Sequence, residues 1–147
     1  MARLNATRGS QYPLVAELVL NLATDSVVDI NGVTRDLKTF GTAIVFDAIL
    51  LPPKAVVLSG AVTTEVAASG STAVNVVVGD SAVANRYLAS TDKVAAGRTA
   101  LVPTGYVSLG EQVRVSITPT VADATAGTIS IRVEYAIRDR VNETQTH

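Results

Sequence analysis

Apolar and polar residues alternate along much of this chain with a period of two. The pattern is cleanest near the C-terminus. Over Gln112 to Thr118, Val113, Val115 and Ile117 alternate with Arg114 and Ser116. Over Thr128 to Arg138, Ile129, Ile131, Val133, Tyr135 and Ile137 alternate with Ser130, Arg132 and Glu134. A period of two sends successive side chains to opposite faces of a strand, so each segment has one buried face and one left to water or a partner. Thr72 to Val78 repeats the pattern, with Val74, Val76 and Val78 inward. Thr42 to Leu51 reads as a strand that stops at Pro52-Pro53, because neither proline can donate to a ladder. Ala55 to Val66 follows, with Val56, Leu58, Val62 and Val66 on one face and Gly60 marking a bulge. Leu14 to Leu22 fits a helix face through Leu14, Leu18 and Leu22, or a strand through Leu18, Leu20 and Leu22. Its β-patterned surroundings favour the strand. Asn31-Gly32, set between β-branched residues, predicts a tight type I′ hairpin, since both central positions of that turn need positive φ.

About eight short strands, turn signals every ten residues or so and no long helical pattern predict an all-β antiparallel sandwich or jelly roll. One segment interrupts the regularity. After Val74 to Val78 the chain breaks at Gly79-Asp80 and returns to apolar sequence only at Thr99 to Val102, roughly twenty residues later. Asp80 is placed to cap a single helical turn over Ser81 to Asn85. Tyr87, Leu88 and Val94 need somewhere to pack, so the segment is expected to be one long ordered loop. Residues 1–11 read as a polar arm, 12–140 as a single sandwich domain and 141–147 as a polar tail.

Composition narrows the function. The net charge is −1, which argues against a broad nucleic-acid surface. No run reaches the length of apolar sequence a membrane-spanning helix needs; the most apolar region, Ala43 to Val62, is interrupted by Asp47, Pro52, Pro53 and Lys54. The start of the chain makes a poor signal peptide, because Glu17 and Asn21 cut its apolar run. With no cysteine, and with His147 at the extreme end as the single histidine, thiolate and imidazole chemistry have no footing. No catalytic, cofactor or metal residue is assigned. Only 17% of residues are charged while 48% are hydrophobic, a balance that suits a protein covering part of itself with partners. Nine of the twelve basic residues are arginine, the better residue for fixed, desolvated contacts.

Other candidate sites read as turns or surface. Asp29-Ile30-Asn31-Gly32 followed by Asp36 is an incomplete calcium loop, with Val33, Thr34 and Arg35 where ligands should be. Gly79-Asp80-Ser81 and Ser69-Gly70-Ser71 lack the lysine of a phosphate cradle. Glu134 beside Arg132 has the look of a solvated pair. Asn5 and Asn142 head glycosylation patterns that carry no weight without secretion. Tyr106, Tyr135 and Phe46 are placed in or at the rim of the core, and Tyr87 is the aromatic expected to be exposed. Arg86, Tyr87, Asp92, Lys93 and Arg98 are the candidate partner contacts, since aromatic and arginine side chains dominate interface energetics. Alternatively, Arg86, Asp92 and Arg98 pair with one another and pin the loop.

From Leu51-Pro52-Pro53-Lys54-Ala55-Val56-Val57 onward, a second kind of signal appears. Val78-Gly79-Asp80-Ser81-Ala82, then Ala84, then Arg86-Tyr87-Leu88, is followed by Ala96-Gly97-Arg98-Thr99-Ala100-Leu101 and Pro103-Thr104-Gly105-Tyr106. Arg132-Val133-Glu134-Tyr135 closes the series. Together these resemble the jelly-roll cement, or decoration, proteins of tailed bacteriophage capsids, over Ala48 to Asn142. The resemblance implies a domain seated on the exterior of an icosahedral shell, assembled in the host bacterial cytoplasm, that clips neighbouring major capsid proteins together. It also implies a symmetric homo-oligomer, a dimer before a trimer. No family binding residue is carried over singly. Arg3, Arg8, Arg138 and Arg140, on the arms, are the residues expected to reach acidic capsid surface. The competing expectation is a jelly-roll ligand- or receptor-binding module of a phage fibre or base.

Overall fold

In the computed structural model, which describes residues 13–138, ten strands form three antiparallel sheets, and no helix occurs among the described residues. The first sheet has the order β1 (Leu14–Asn21), β10 (Ala126–Ile137), β5 (Ala55–Ser69), β8 (Gly97–Ala100). The second has the order β4 (Ile44–Ile49), β9 (Val113–Pro119), β6 (Val74–Gly79), β7 (Leu88–Asp92). A small hairpin, β2 (Ser26–Val28) and β3 (Thr34–Asp36), lies between β1 and β4 in the chain. Leaving that hairpin aside, the chain changes sheet at every step except from β6 to β7. This is the winding of an eight-stranded jelly roll.

The alternation seen in the sequence fills the space between the sheets. Val74, Val76 and Val78 of β6 and Val113, Val115 and Ile117 of β9 are all fully buried, and so are Ile129, Ile131 and Val133 of β10. Each such side chain stabilises the fold by roughly 1.5–3 kcal/mol relative to exposure. Branched aliphatic residues also suit a pleated face, where their stiff side chains lose little freedom. Leu14–Asn21 is a strand, with Leu20 buried within it and Leu22 buried just past its end.

β5 departs from its expected parity. Ala55 and Val57 point inward and Leu58 is 44% exposed, whereas Val62 and Thr64 are inward further on. The cause is an extra residue at Leu58, where the register passes from Tyr135↔Val57 to Glu134↔Ser59. One inserted residue turns every later side chain to the other face. Gly60 is not the bulge. It is a close approach: a Cβ there would lie 2.4 Å from the Arg132 carbonyl oxygen and 2.7 Å from Leu101 Cδ1.

The hairpin also differs from expectation. Val28 pairs with Thr34, so residues 29–33 form the turn, with Asp29 N–H donating to Val33 O and only Gly32 among them at positive φ, +79°. Asp29 organises it. Its Oδ1 accepts from the Asn31 and Val33 amides (both 2.9 Å) and its Oδ2 from Arg35 Nε (3.1 Å). These bonds, that to Val33 foremost, hold the Asp29 carboxyl below its ordinary pKa. The acid that resembled a calcium ligand is committed to its own turn.

The stretch expected to lie outside regular structure contains β7 and β8, which pair at opposite sides of the sandwich, β7 on β6 and β8 on β5. Lys93 stands at their corner. Its N–H donates to Val74 O (2.7 Å) in the second sheet, and its carbonyl accepts from the buried Thr64 Oγ1 (2.7 Å) of the first.

Candidate interaction surface

Strand register gathers several loops at one end of the sandwich. β4 and β10 finish there, β1, β5, β7 and β9 start there, and residues 50–54, 80–87 and 101–112 form the surface. Both limits of the described chain, Pro13 and Arg138, lie at this end. Lys54 ties it together. At φ 67° it occupies the left-handed region, which costs a non-glycine residue about 1–2 kcal/mol. In that pose its N–H donates to Ser108 O (2.7 Å) and its carbonyl accepts from Arg138 N–H (2.8 Å).

A chain of polar contacts fixes the loops to one another. The Asp80 carboxylate caps a tight turn through the Ala82 (2.9 Å) and Val83 (2.7 Å) amides and accepts from Arg86 Nε with its other oxygen. No helical turn forms over Ser81 to Asn85. The Arg86 guanidinium lies over the Tyr106 ring, 3.5 Å from its centroid. Tyr106 Oη donates to Glu111 Oε1 (2.6 Å), and Glu111 Oε2 accepts from Ser108 Oγ (3.1 Å) and Leu109 N–H (2.7 Å). Burial acts against the Arg86 charge, but the Asp80 carboxylate outweighs it and raises the Arg86 pKa. Glu111 is held at about 2, first by the Tyr106 hydroxyl and then by backbone N–H groups. The same bond raises Tyr106.

The Glu111 shift sets an acid-limb prediction. A depressed folded-state pKa adds stability above the unfolded value and loses it as pH falls through the folded value. For Glu111 that window runs from its ordinary 4.5 down to about 2. Denaturation midpoints of the parent and Glu111→Gln are expected to differ by a constant amount above pH 5, with the gap closing by pH 2. A gap that stays constant across the whole range would refute the bond's role.

The same loops carry apolar tips. Leu50 is 72% exposed, Val102 62% and Leu109 83%. They ring the loop end with side chains that gain from being covered.

Comparison with solved structures places the same fold in phage capsids. A chain of the cyanophage Pam1 capsid asymmetric unit is 18% identical with a TM-score of 0.60, covering 92% of this chain and 94% of that one. A chain of the acidic stable capsid of Helicobacter pylori bacteriophage KHP30 is 16% identical with a TM-score of 0.60, over 92% and 95%. A chain of the capsid of Ralstonia phage GP4 is 12% identical with a TM-score of 0.56, over 95% and 92%. The fold is shared with phage capsid chains. No protein-family model and no curated protein matches the sequence.

The residues singled out in the sequence fall into distinct places. Arg86 belongs to the latch, with Asp80 and Tyr106 as partners in place of Asp92 and Arg98. Tyr87, expected to be exposed, is 3% exposed. Its backbone bridges Val78 O and Val102 N–H, which draws the ring into the core, and burial raises its pKa. Asp92 Oδ1 accepts from the Val74 and Val94 amides (both 3.0 Å). Lys93 is buried, its Nζ donating to Gly97 O (2.9 Å) and Thr99 Oγ1 (3.1 Å), and burial lowers its pKa. Arg98 stands on the outer face of β8, on a shallow polar groove with Glu17, Arg132 and Glu134. It makes no ion pair among the described residues. Arg138 is exposed at the loop end. Arg3, Arg8 and Arg140 lie outside the described residues.

Asp80, Glu111, Leu50 and Leu109 were missed as site residues. Asp80 had a turn signal in Gly79-Asp80. Glu111 had none, since its partner Tyr106 reaches it only once the loop has closed.

Proposed function

We propose that this protein is a virion structural component of a bacteriophage: a cement protein that binds the outside of an assembled head and clips neighbouring major capsid proteins together. The observation that carries the reading is the fold shared end to end with chains from phage capsids. The loop end fits the role. Its Asp80, Arg86 and Glu111 are bonded within the loops, and what it offers outward includes the apolar tips Leu50, Val102 and Leu109 and the exposed Arg138. Surfaces of that kind bind by burying area around a few anchors. The arms, through Arg3, Arg8, Arg138 and Arg140, extend the reach to acidic capsid surface, and Arg98 is a second contact on the flank.

Stabilisation by such a protein works through mass action. Binding the assembled shell and not its separated subunits stabilises the shell by RT ln(1 + [L]/Kd), about 2.7 kcal/mol per site at a hundred times Kd. Repetition over the many sites of an icosahedral lattice multiplies the effect. Purified protein added to heads stripped of it is expected to co-sediment with them and to raise the temperature at which they release their genome. Absence of both effects would overturn the reading.

A further inference from the structure

Sheet edges leave backbone groups unpaired, and besides the three-residue strands β2 and β3 of the small hairpin, four strands lie at edges here: β1 and β8 of one large sheet, β4 and β7 of the other. Three of these edges carry features that discourage another chain. β4 has the hairpin tip beside it, with Ile30 N–H donating to Val45 O (3.0 Å). β7 is five residues long, and its register against β6 breaks between Val76 and Val78. β8 is four residues long and includes Arg98. Shortness, irregular register and charge are the usual protections of an edge.

β1 lacks the first two and carries a single charge, Glu17; Asp25 takes the amide and carbonyl of Asn21 at its end, which leaves Leu14 to Leu20 as its free edge. It runs eight residues in unbroken register with β10, from Leu14↔Tyr135 to Asn21↔Thr128. Its exposed residues are largely apolar, with Leu14 41%, Val15 50% and Val19 52% exposed. Glu17, its one charged residue, faces Arg132 across the β1–β10 pair, so it presents no isolated charge to an approaching strand. A long, regular, apolar edge is a template for another strand.

We propose that β1 pairs with β1 of a second copy, antiparallel about a two-fold axis, joining two four-stranded sheets into one of eight strands. The choice of partner follows from closure. A matching strand must itself be long, regular and open, and among the described residues β1 alone qualifies. Pairing β1 with β1 consumes both edges and stops at two copies. Pairing β1 with any other edge would leave a β1 open and propagate. The strand sense follows from the axis: a two-fold normal to the sheet reverses strand direction and keeps the same face outward. Val15 and Val19 of both copies then lie on one outer face across the seam. The arrangement also sends the two loop ends to opposite extremities, where they could hold two capsid subunits. That last consequence rests on the cement reading; the pairing itself does not.

The test is sedimentation equilibrium on the full chain. The parent is expected to dimerise, and the Val15→Lys/Val19→Lys variant to raise the dimer Kd at least about a hundredfold with its melting temperature kept. Should that variant fail to fold, amide exchange of the parent decides. On dilution to monomer, β1 amides are expected to lose protection while those of β8 and β7 keep theirs. The pairing is overturned by a parent that stays monomeric at ~100 μM, by a dimer that survives both lysines, or by protection lost at β7 or β8 in place of β1. A protein that dimerises through β1 yet ignores stripped heads leaves this pairing standing and removes the cement reading alone.

Discussion

Asp80→Ala is expected to destabilise the protein by about 3–5 kcal/mol, the range for removing one partner of a buried ion pair. The Asp80 side chain is 4% exposed and Arg86 15%, so water does little to replace the lost carboxylate. The Ala82 and Val83 amides lose their acceptor in the same stroke. For a chain of this size the melting temperature should fall by about 10 °C. Asp80→Ala/Arg86→Ala should cost less than the sum of the two single changes, because the double variant strands no charge. Urea denaturation of the three variants measures this. A loss below about 1 kcal/mol for Asp80→Ala would mean that the loop end is held by its backbone stitches alone.

The second large effect is on binding. Leu109→Asp and Leu50→Asp should each weaken association with stripped heads by a hundredfold or more, since a carboxylate would have to be desolvated where an apolar anchor now sits. Stability should stay within about 0.5 kcal/mol, because both side chains point into solvent. Val121→Asp is the control. Val121 is as exposed as Leu50, 72%, and lies at the opposite end, after β9. Co-sedimentation that is equally insensitive to all three, or equally sensitive, would rule out the loop end as the docking surface.

How much of this could be read from the chain follows from which residues face one environment and which face two. β6, β9 and β10 each set one face against the core, so Val74 to Val78, Val113 to Ile117 and Ile129 to Val133 alternate openly and were legible. β7 and β8 are edge strands. Leu88-Ala-Ser-Thr-Asp and Gly-Arg-Thr-Ala have almost no apolar face to alternate, and they looked like loop. β5 was found but its inward face was misplaced ahead of the bulge, where Ala55 and Val57 point in and Leu58 points out, while Val62 beyond it is buried as expected; a bulge leaves no mark in composition. The site was legible in part. Arg86 stood out as a residue that needs a fixed partner. Its true partners, Asp80 six residues earlier and Tyr106 twenty residues later, meet it through the closure of two loops. Tyr87 looked available because its stretch read as loop; the backbone bonds that turn it inward are made to Val78 and Val102, outside its own segment.

The position of Pro13 and Arg138 at the loop end bears on any use of the protein as a carrier. A guest domain joined directly at Pro13 or Arg138 would begin at the same end of the sandwich as the exposed Leu50, Val102 and Leu109. The turn at residues 94–96, between β7 and β8, projects from the other end of the sandwich. A peptide spliced in there would stand at the opposite end of its own protomer from Leu50, Val102 and Leu109, clear of the Asp80–Arg86–Tyr106–Glu111 contacts.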